Sequence, residues 1–600
     1  MFIRKIATRK LKGKSYFSHR LVESLRTHDG KIQQQTLINL GSSYPIPEAE
    51  WPLLSDRVKN ILCGAQLLFP LPDHIEDEAK RLANLLIKKH GKEVFPGELK
   101  EPTCQSVDVN SIENADIKSV GAESLAYETA KLLNIPEILA GIGFNKKETE
   151  CALASIIGRL LKPGSELSTA HYLRDKSALD EVLGTDFSGM HKNRLYEISD
   201  RLFKKKDSIE SALYQNEKDL FGFNETVTLY DLTNTYFEGQ SKSNDNAALG
   251  RSKEKRSDCA LVTLALVLDA SGFPKKSHIF KGNISEAGTL EKMISMSTKD
   301  AIIVMDAGIA TQENIDWLSE NNYKYIVVSR KRNQTIPEGV SGVVVKEDKD
   351  NKVTSYLVKN EDLKESELYC HSEAMERKSN DFLDKFKKRF RDELQKLSDG
   401  LSKKKGSPKK YDKVCEKIGR LKEKYSKVAR FYEIDITADE KRENITSIKW
   451  AYVAEKQSKE PGIYCIRTNQ TELDNIQIWQ TYRMLNDIES AFRILKTDLG
   501  LRPIYHQLTD RVSGHIFITL LAYHILHTIR CKLKAQGIND SWDSIMSKLE
   551  NHYRVTTSLK RENSKTLHIR KSMRANSEQL KIYQACNIPS IPLKTILTEN

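Results

Sequence analysis

The chain has 600 residues, 39% of them hydrophobic, with a net charge of +13 and a pI near 9.0. That length and apolar content exclude a disordered or a small disulfide-stapled protein and point to several domains, and the charge points to a polyanionic partner. The nine cysteines form no CxxC pair and no Cys/His cluster with zinc spacing, which fits reduced thiols in a cytoplasmic setting. The start, MFIRKIATRK, has no apolar signal-peptide core. Ile516–Leu526, the longest apolar run, is too short to cross a bilayer and is predicted as a buried helix, so no membrane partner is expected.

In chain order, residues 1–41 read as a small β unit turning at Asp29-Gly30. Helical pattern with proline breaks fills 48–95, and 96–118 reads as a polar linker. Together 1–118 make a first region. Periodicity predicts an all-helical domain over 119–220, suited to DNA-end binding or dimerisation. Residues 221–333 then alternate strands and helices in the order β-β-β-α-β-α-β. Two carboxylates fall on these strands. Asp231 follows the alternating Val227 and Leu229, and Asp306 closes the apolar run AIIVM two residues before Gly308. Open α/β sheets place ligands at that end of their strands.

Residues 334–472 read as a β-rich insertion carrying a helical hairpin over 373–430, with a turn at Gly406-Ser407-Pro408 and a coiled-coil-like apolar seam. Between Arg377 and Arg430 stand 20 Lys and Arg against 8 Asp and Glu, a net +12 that makes the hairpin a candidate for phosphate contact. In 473–535 the segment YRMLNDIESAFRILK places Tyr482, Glu489 and Lys496 at i, i+7 and i+14, one polar stripe of a helix whose other side is apolar. Residues 536–600 read as a polar, basic tail. Asp231, Asp306 and Glu489 together could hold two divalent ions about 4 Å apart, as in-line displacement at phosphorus requires. Oxygen ligands favour Mg²⁺, with Mn²⁺ as a substitute. There is no GxxxxGK[ST] loop, so ATP use is not expected.

With these residues in place, the chain resembles a bacterial insertion-sequence DDE transposase of the subgroup with a Tyr-Arg-Glu-Lys helix motif and a long β-rich insertion. The resemblance rests on that helix, on YDLTNTYFEG, GRSKEKRSD, FKGN and VMDAG, and on LRPIYH after the motif. One motif position departs: Leu485 stands where the family has arginine, with Arg483 two residues away.

The resemblance implies an α/β, RNase H-like catalytic core interrupted by the insertion and preceded by the helical domain. It implies Mg-dependent cleavage at the element's ends and strand transfer into target DNA. Asp231, Asp306 and Glu489 would be both catalytic and metal-binding. Tyr482, Arg483, Lys496, Arg330 and Lys331 would contact DNA. Partners would be double-stranded DNA, as terminal inverted repeats and target, and a second copy of the chain. Two other readings stay open: a DNA-binding repressor without catalysis, and a structure-selective nuclease on the same core.

Overall fold

The alternating segments at the start of the chain pair as an antiparallel meander in the computed structural model: β1 (Phe2–Leu11), β2 (Lys14–Arg26) and β3 (Ile32–Gly41). The structure describes residues 1–11, 14–26, 32–62, 71–90, 106–223, 225–239, 241–251, 256–295, 299–330, 335–360, 364–401, 410–441, 443–453 and 461–599. The turns expected at Asp29-Gly30 and at Gly406-Ser407-Pro408 lie outside them. Ile3, Leu21 and Leu37 face one side of the meander. There they share a core with Trp51, Leu54 and Val58 of α1 (Trp51–Leu62) and with Ile75, Leu82 and Leu86 of α2 (Asp73–His90). Met1–Asp108 with Arg561–Ser564 form one unit of the chain, and the remaining residues a second.

The second unit begins within β4 (Val107–Ser119), a strand where a linker is expected. Seven helices follow: α3 (Gly121–Leu132), α4 (Ile135–Gly141), α5 (Lys146–Leu161), α6 (Glu166–Asp175), α7 (Leu179–Leu183), α8 (Lys192–Lys204) and α9 (Lys206–Phe221). Their starts follow local chemistry: Asn145 and Glu148 form a capping box on α5, and the Ser165 hydroxyl caps α6.

Then come β5 (Val227–Tyr236), β6 (Leu261–Asp269), β7 (Pro274–Lys281), α10 (Leu290–Ile294), β8 (Ile302–Met305), α11 (Gln312–Glu320) and β9 (Lys324–Val328). This is the expected β-β-β-α-β-α-β order, with β8 parallel to β5 and to β9, and β6 antiparallel to both β5 and β7, consistent with an RNase H-like core.

The chain continues through β10 (Val343–Asp348), β11 (Asn351–Asn360), β12 (Glu365–Ser372), α12 (Glu373–Asp399), α13 (Tyr411–Lys424), α14 (Ser426–Ala429), β13 (Tyr432–Ala438), β14 (Ile445–Tyr452) and β15 (Ile463–Thr468). β10, β11, β12 and β15 extend the sheet of β5–β9, giving a nine-stranded mixed sheet in the order β10-β11-β12-β15-β9-β8-β5-β6-β7. What folds apart from that sheet is the helical hairpin and the β13–β14 pair. Phe390 and Leu394 of α12 pack on Tyr425, Val428 and Phe431, and Val414 and Ile418 of α13 pack on Ile445 and Ile448. The apolar seam is therefore shared between two helices and a β-hairpin, rather than closed between the helices alone.

The last part comprises α15 (Asn475–Arg483), α16 (Leu485–Thr497), α17 (Thr509–Ala535), α18 (Trp542–Glu550), β16 (Tyr553–Arg561), β17 (Thr566–Ser572), α19 (Ser577–Cys586) and β18 (Ile596–Glu599). Residues 536–600, expected as a tail, fold into elements whose strands join β4 in a sheet ordered β18-β17-β16-β4. α17 is long and apolar enough to span a membrane, and 94% of its apolar window is buried inside the protein. It packs against α3, α5, α8, α16 and α19. Leu125, Ile156, Leu195 and Leu213 of the preceding helices share one continuous core with α17 and the sheet. His524 and His527 serve this packing: His524 Nδ1 lies 2.6 Å from the buried Glu217 carboxylate, and His527 Nε2 lies 2.8 Å from the Ser271 carbonyl.

Candidate active site

The site begins with strand register. Tyr230 of β5 pairs with Met305 of the parallel strand β8. The next residue after each is an aspartate: Asp231 lies within β5, which runs on to Tyr236, and Asp306 follows the last residue of β8, so the two are neighbours across the sheet. Side chains alternate across a strand, which fixes their face. Tyr230, Leu232, Ile303 and Met305 enter the core on one side, and Leu229 and Val304 enter the core on the other. Asp231 and Asp306 share the Leu229 and Val304 side.

That side is covered by α16, which packs on β5 and buries Ile488, Ala491, Phe492 and Leu495. Glu489 stands exposed on the same helix, Asp306 is exposed, and Asp231 is half-buried. Tyr482 lies close enough to Asp306 and Glu489 for their charges to act on it. Burial, and then the negative charges of Asp306 and Glu489, push its hydroxyl up to about 12.

The loop after Asp306 is held from several directions. Asp306 Oδ1 accepts the Ala307 amide at 2.7 Å, and its carbonyl accepts the amides of Ile309 and Ala310. Arg330, at the end of β9, donates from Nε to the Ala307 carbonyl at 2.6 Å and from Nη2 to the Gly308 carbonyl. Asn314 Nδ2 donates to the carbonyls of Ala287 (2.9 Å) and Ile309 (2.7 Å), stitching the 286–289 turn to this loop. A side chain at Gly308 would collide with the Glu286 carboxylate. Asp231 Oδ1 likewise accepts the amide of the next residue, Leu232, at 2.7 Å.

The motif helix differs from expectation. The single stripe over 482–496 is broken at Met484, where i→i−3 hydrogen bonds from Met484 N to Thr481 O and from Asp487 N to Met484 O make one tight turn between α15 and α16. Tyr482 lies before the break and Glu489 after it, so their proximity comes from the packing of two helices. Arg483 is not brought to the carboxylates. Its guanidinium lies over the Trp479 ring at 4.9 Å, and its charge acts on Asp487. Leu485 is 9% exposed and belongs to the core, which explains why no cation occupies that position. Lys496 is half-buried on α16, and Lys331 lies outside the described residues. Glu286 and Asn314 escaped the sequence reading: both fall in predicted helices, around 285–297 and over 312–321, but neither stands in a motif.

Elsewhere Glu166, His506 and His515 bring ligand-type atoms within 4.8 Å of one another. His506 Nε2 is 3.1 Å from Glu166 Oε1, and Arg159 Nη2 lies 3.0 Å from His515 Nδ1. An arginine only donates, so a neutral His515 carries its proton on Nε2 and offers no lone pair there. With Glu166 and His515 buried and His506 half-buried, the set reads as a hydrogen-bonded part of the packing.

Comparison with known proteins places the site in context. The family described as "Transposase DDE domain" matches residues 222–525, a span that contains Asp231, Asp306 and Glu489. No curated protein matches the chain.

Proposed function

The chain belongs to the transposase DDE-domain family, and from that premise we propose that it is the transposase of a bacterial insertion sequence. It cuts DNA at the element's ends and joins the freed 3′-ends to target DNA. The observation that carries this reading is the pairing of Tyr230 with Met305, which sets Asp231 beside Asp306 on the face covered by the Glu489 helix.

Asp231, Asp306 and Glu489 are proposed as the catalytic and metal-binding residues. The donor set is entirely carboxylate oxygen, and Asp306 and Glu489 are open to solvent, which suits Mg²⁺ with Mn²⁺ as a substitute. Bound divalent ions would supply an activated water or 3′-hydroxyl and stabilise the leaving oxygen. The protein's own groups do the positioning. Tyr482, kept protonated by burial and the two carboxylates, donates a hydrogen bond to a phosphate oxygen near the cut. Lys496 acts as a point charge on the same phosphates. Arg330 has two N–H groups committed to the Asp306 loop and turns the rest of its fork to DNA. Residues 377–430 of the hairpin carry a net +12 and support the reading of DNA as partner, with two copies of the chain holding a pair of ends.

The test is cleavage of a linear duplex carrying the DNA that flanks the reading frame, with Mg²⁺ and with EDTA. Metal-dependent cuts at the repeat boundary are expected. Binding without cutting, in Mg²⁺ and in Mn²⁺ alike, would replace this reading with that of a repressor.

A further inference from the structure

A transposase must tell its own ends from other DNA, and the helical segment α3–α9 is poorly placed to do so. Its helices bury their apolar faces in the same continuous core as α17 and the catalytic sheet. That is the packing of a scaffold. The unit formed by Met1–Asp108 has a different build.

Among the described residues of this unit, its three-stranded sheet is covered on one face only. Ile3, Leu21 and Ile38 lie in register across the strands and join the core under α1 and α2. The neighbouring row, Arg4, Arg20 and Asn39, is also in register and by strand alternation faces the other way. Arg4, Thr36, Gln34 and Asn39 are exposed, and Arg4 Nη1 donates to Gln34 Oε1 at 2.5 Å, so these residues share the open face.

The charge of this unit is segregated. The three strands contain 7 Lys and Arg and one acid, Glu23, whereas residues 45–90 carry 6 Lys and Arg against 7 Asp and Glu. Glu23 alternates away from the Arg20 side. Arg4 and Arg20 therefore stand directly opposite one another as like charges, an arrangement that destabilises an isolated sheet. A polyanion relieves it. Three strands are about 10 Å across, which matches the roughly 12 Å width of the DNA major groove. The side chains offered are those that read base edges there, arginine for guanine and Gln or Asn for adenine.

We propose that the open face of the β1–β3 sheet seats in the major groove at the element's ends and reads their sequence through Arg4, Arg20, Gln34 and Asn39. This rests on the transposase reading above.

The test uses the full chain and two duplexes, one from the DNA flanking the reading frame and one scrambled to the same composition. Arg4→Gln/Arg20→Gln is expected to lose about tenfold or more in affinity for the end duplex and far less for the scrambled one, collapsing the ratio between them. If that variant fails to fold by circular dichroism, Gln34→Ala/Asn39→Ala serves instead, with a smaller loss of the same ratio expected. N7-methylation of guanines in the end duplex should block wild-type binding. An unchanged ratio in a folded variant, with wild-type still preferring and cutting the ends, would overturn this inference alone. A wild-type chain that neither prefers nor cuts the ends would overturn it together with the transposase reading.

Discussion

Arg330 Nε donates to the carbonyl of Ala307 at 2.6 Å, one residue beyond Asp306. A cation at the end of one strand thus holds the loop that aims the carboxylate of the next. Arg330→Ala should leave the fold intact and lower cleavage about 10- to 100-fold, with a higher Mg²⁺ requirement, as for other residues that orient metal ligands. Arg330→Lys should recover little, because lysine cannot span two carbonyls with a planar fork. Single-turnover cleavage against Mg²⁺ concentration reads both. Full activity in the alanine variant would reduce Arg330 to a surface contact.

Asp306→Asn and Glu489→Gln each replace a carboxylate with a neutral amide of the same shape. Both side chains are exposed, so stability should hardly change. Cleavage is expected to fall at least about 100-fold while end binding persists. Cleavage at the wild-type rate in either variant would remove that residue from the site.

The strands of the site were legible because their signals are local. Val227 and Leu229 alternate, and Ile302–Met305 is a continuous apolar run. The register that joins Asp231 to Asp306 was not legible, since it depends on the pairing of Tyr230 with Met305, far apart in the chain. The break at Met484 escaped because MLND contains no proline or glycine. Residues 553–572 read as a tail because YRVTTSLKR and TLHIRKS mix charge into both strand faces. Their pairing is completed from far away, by contacts such as Thr557 Oγ1 to Asn114 Oδ1 at 2.8 Å.

Leu485 bears on the departure from the family motif. It is 9% exposed and joins the core with Ile488 and Phe492. Leu485→Arg, which restores the motif residue, should therefore not improve the enzyme. It removes about 1.5–3 kcal/mol of apolar burial and adds the cost of a guanidinium in the core. A clear drop in melting temperature is expected, with cleavage no faster. An equally stable variant that cuts faster would mean that position 485 reaches the DNA.

The basic hairpin can be tested by salt. Lys388, Arg389, Lys417 and Lys422 are exposed on α12 and α13. If each neutralises a phosphate, changing all four to glutamine should flatten the slope of log K against log salt by about 0.9 for every phosphate left without its cation. An unchanged slope would return the hairpin to a structural role.

Asp269 predicts a pH effect on stability away from the site. It is 2% exposed at the end of β6. Its Oδ1 accepts the amides of Ser271 and Phe273 at 2.9 Å each, while Oδ2 is buried with no hydrogen-bond partner among the described residues. Burial, opposed by those amides, raises its pKa to about 6. The unfolded value is about 3.9. Between these values the native state keeps the proton and the unfolded state has lost it, so stability falls as pH rises from about 4 to about 6 and is level above. The loss amounts to roughly 3 kcal/mol at most. Asp269→Asn is neutral throughout and keeps the Oδ1 acceptor. Its stability relative to wild type, followed by urea unfolding, should rise across that window and then stay constant. A difference independent of pH would mean that Asp269 titrates in the folded protein as it does in the unfolded chain.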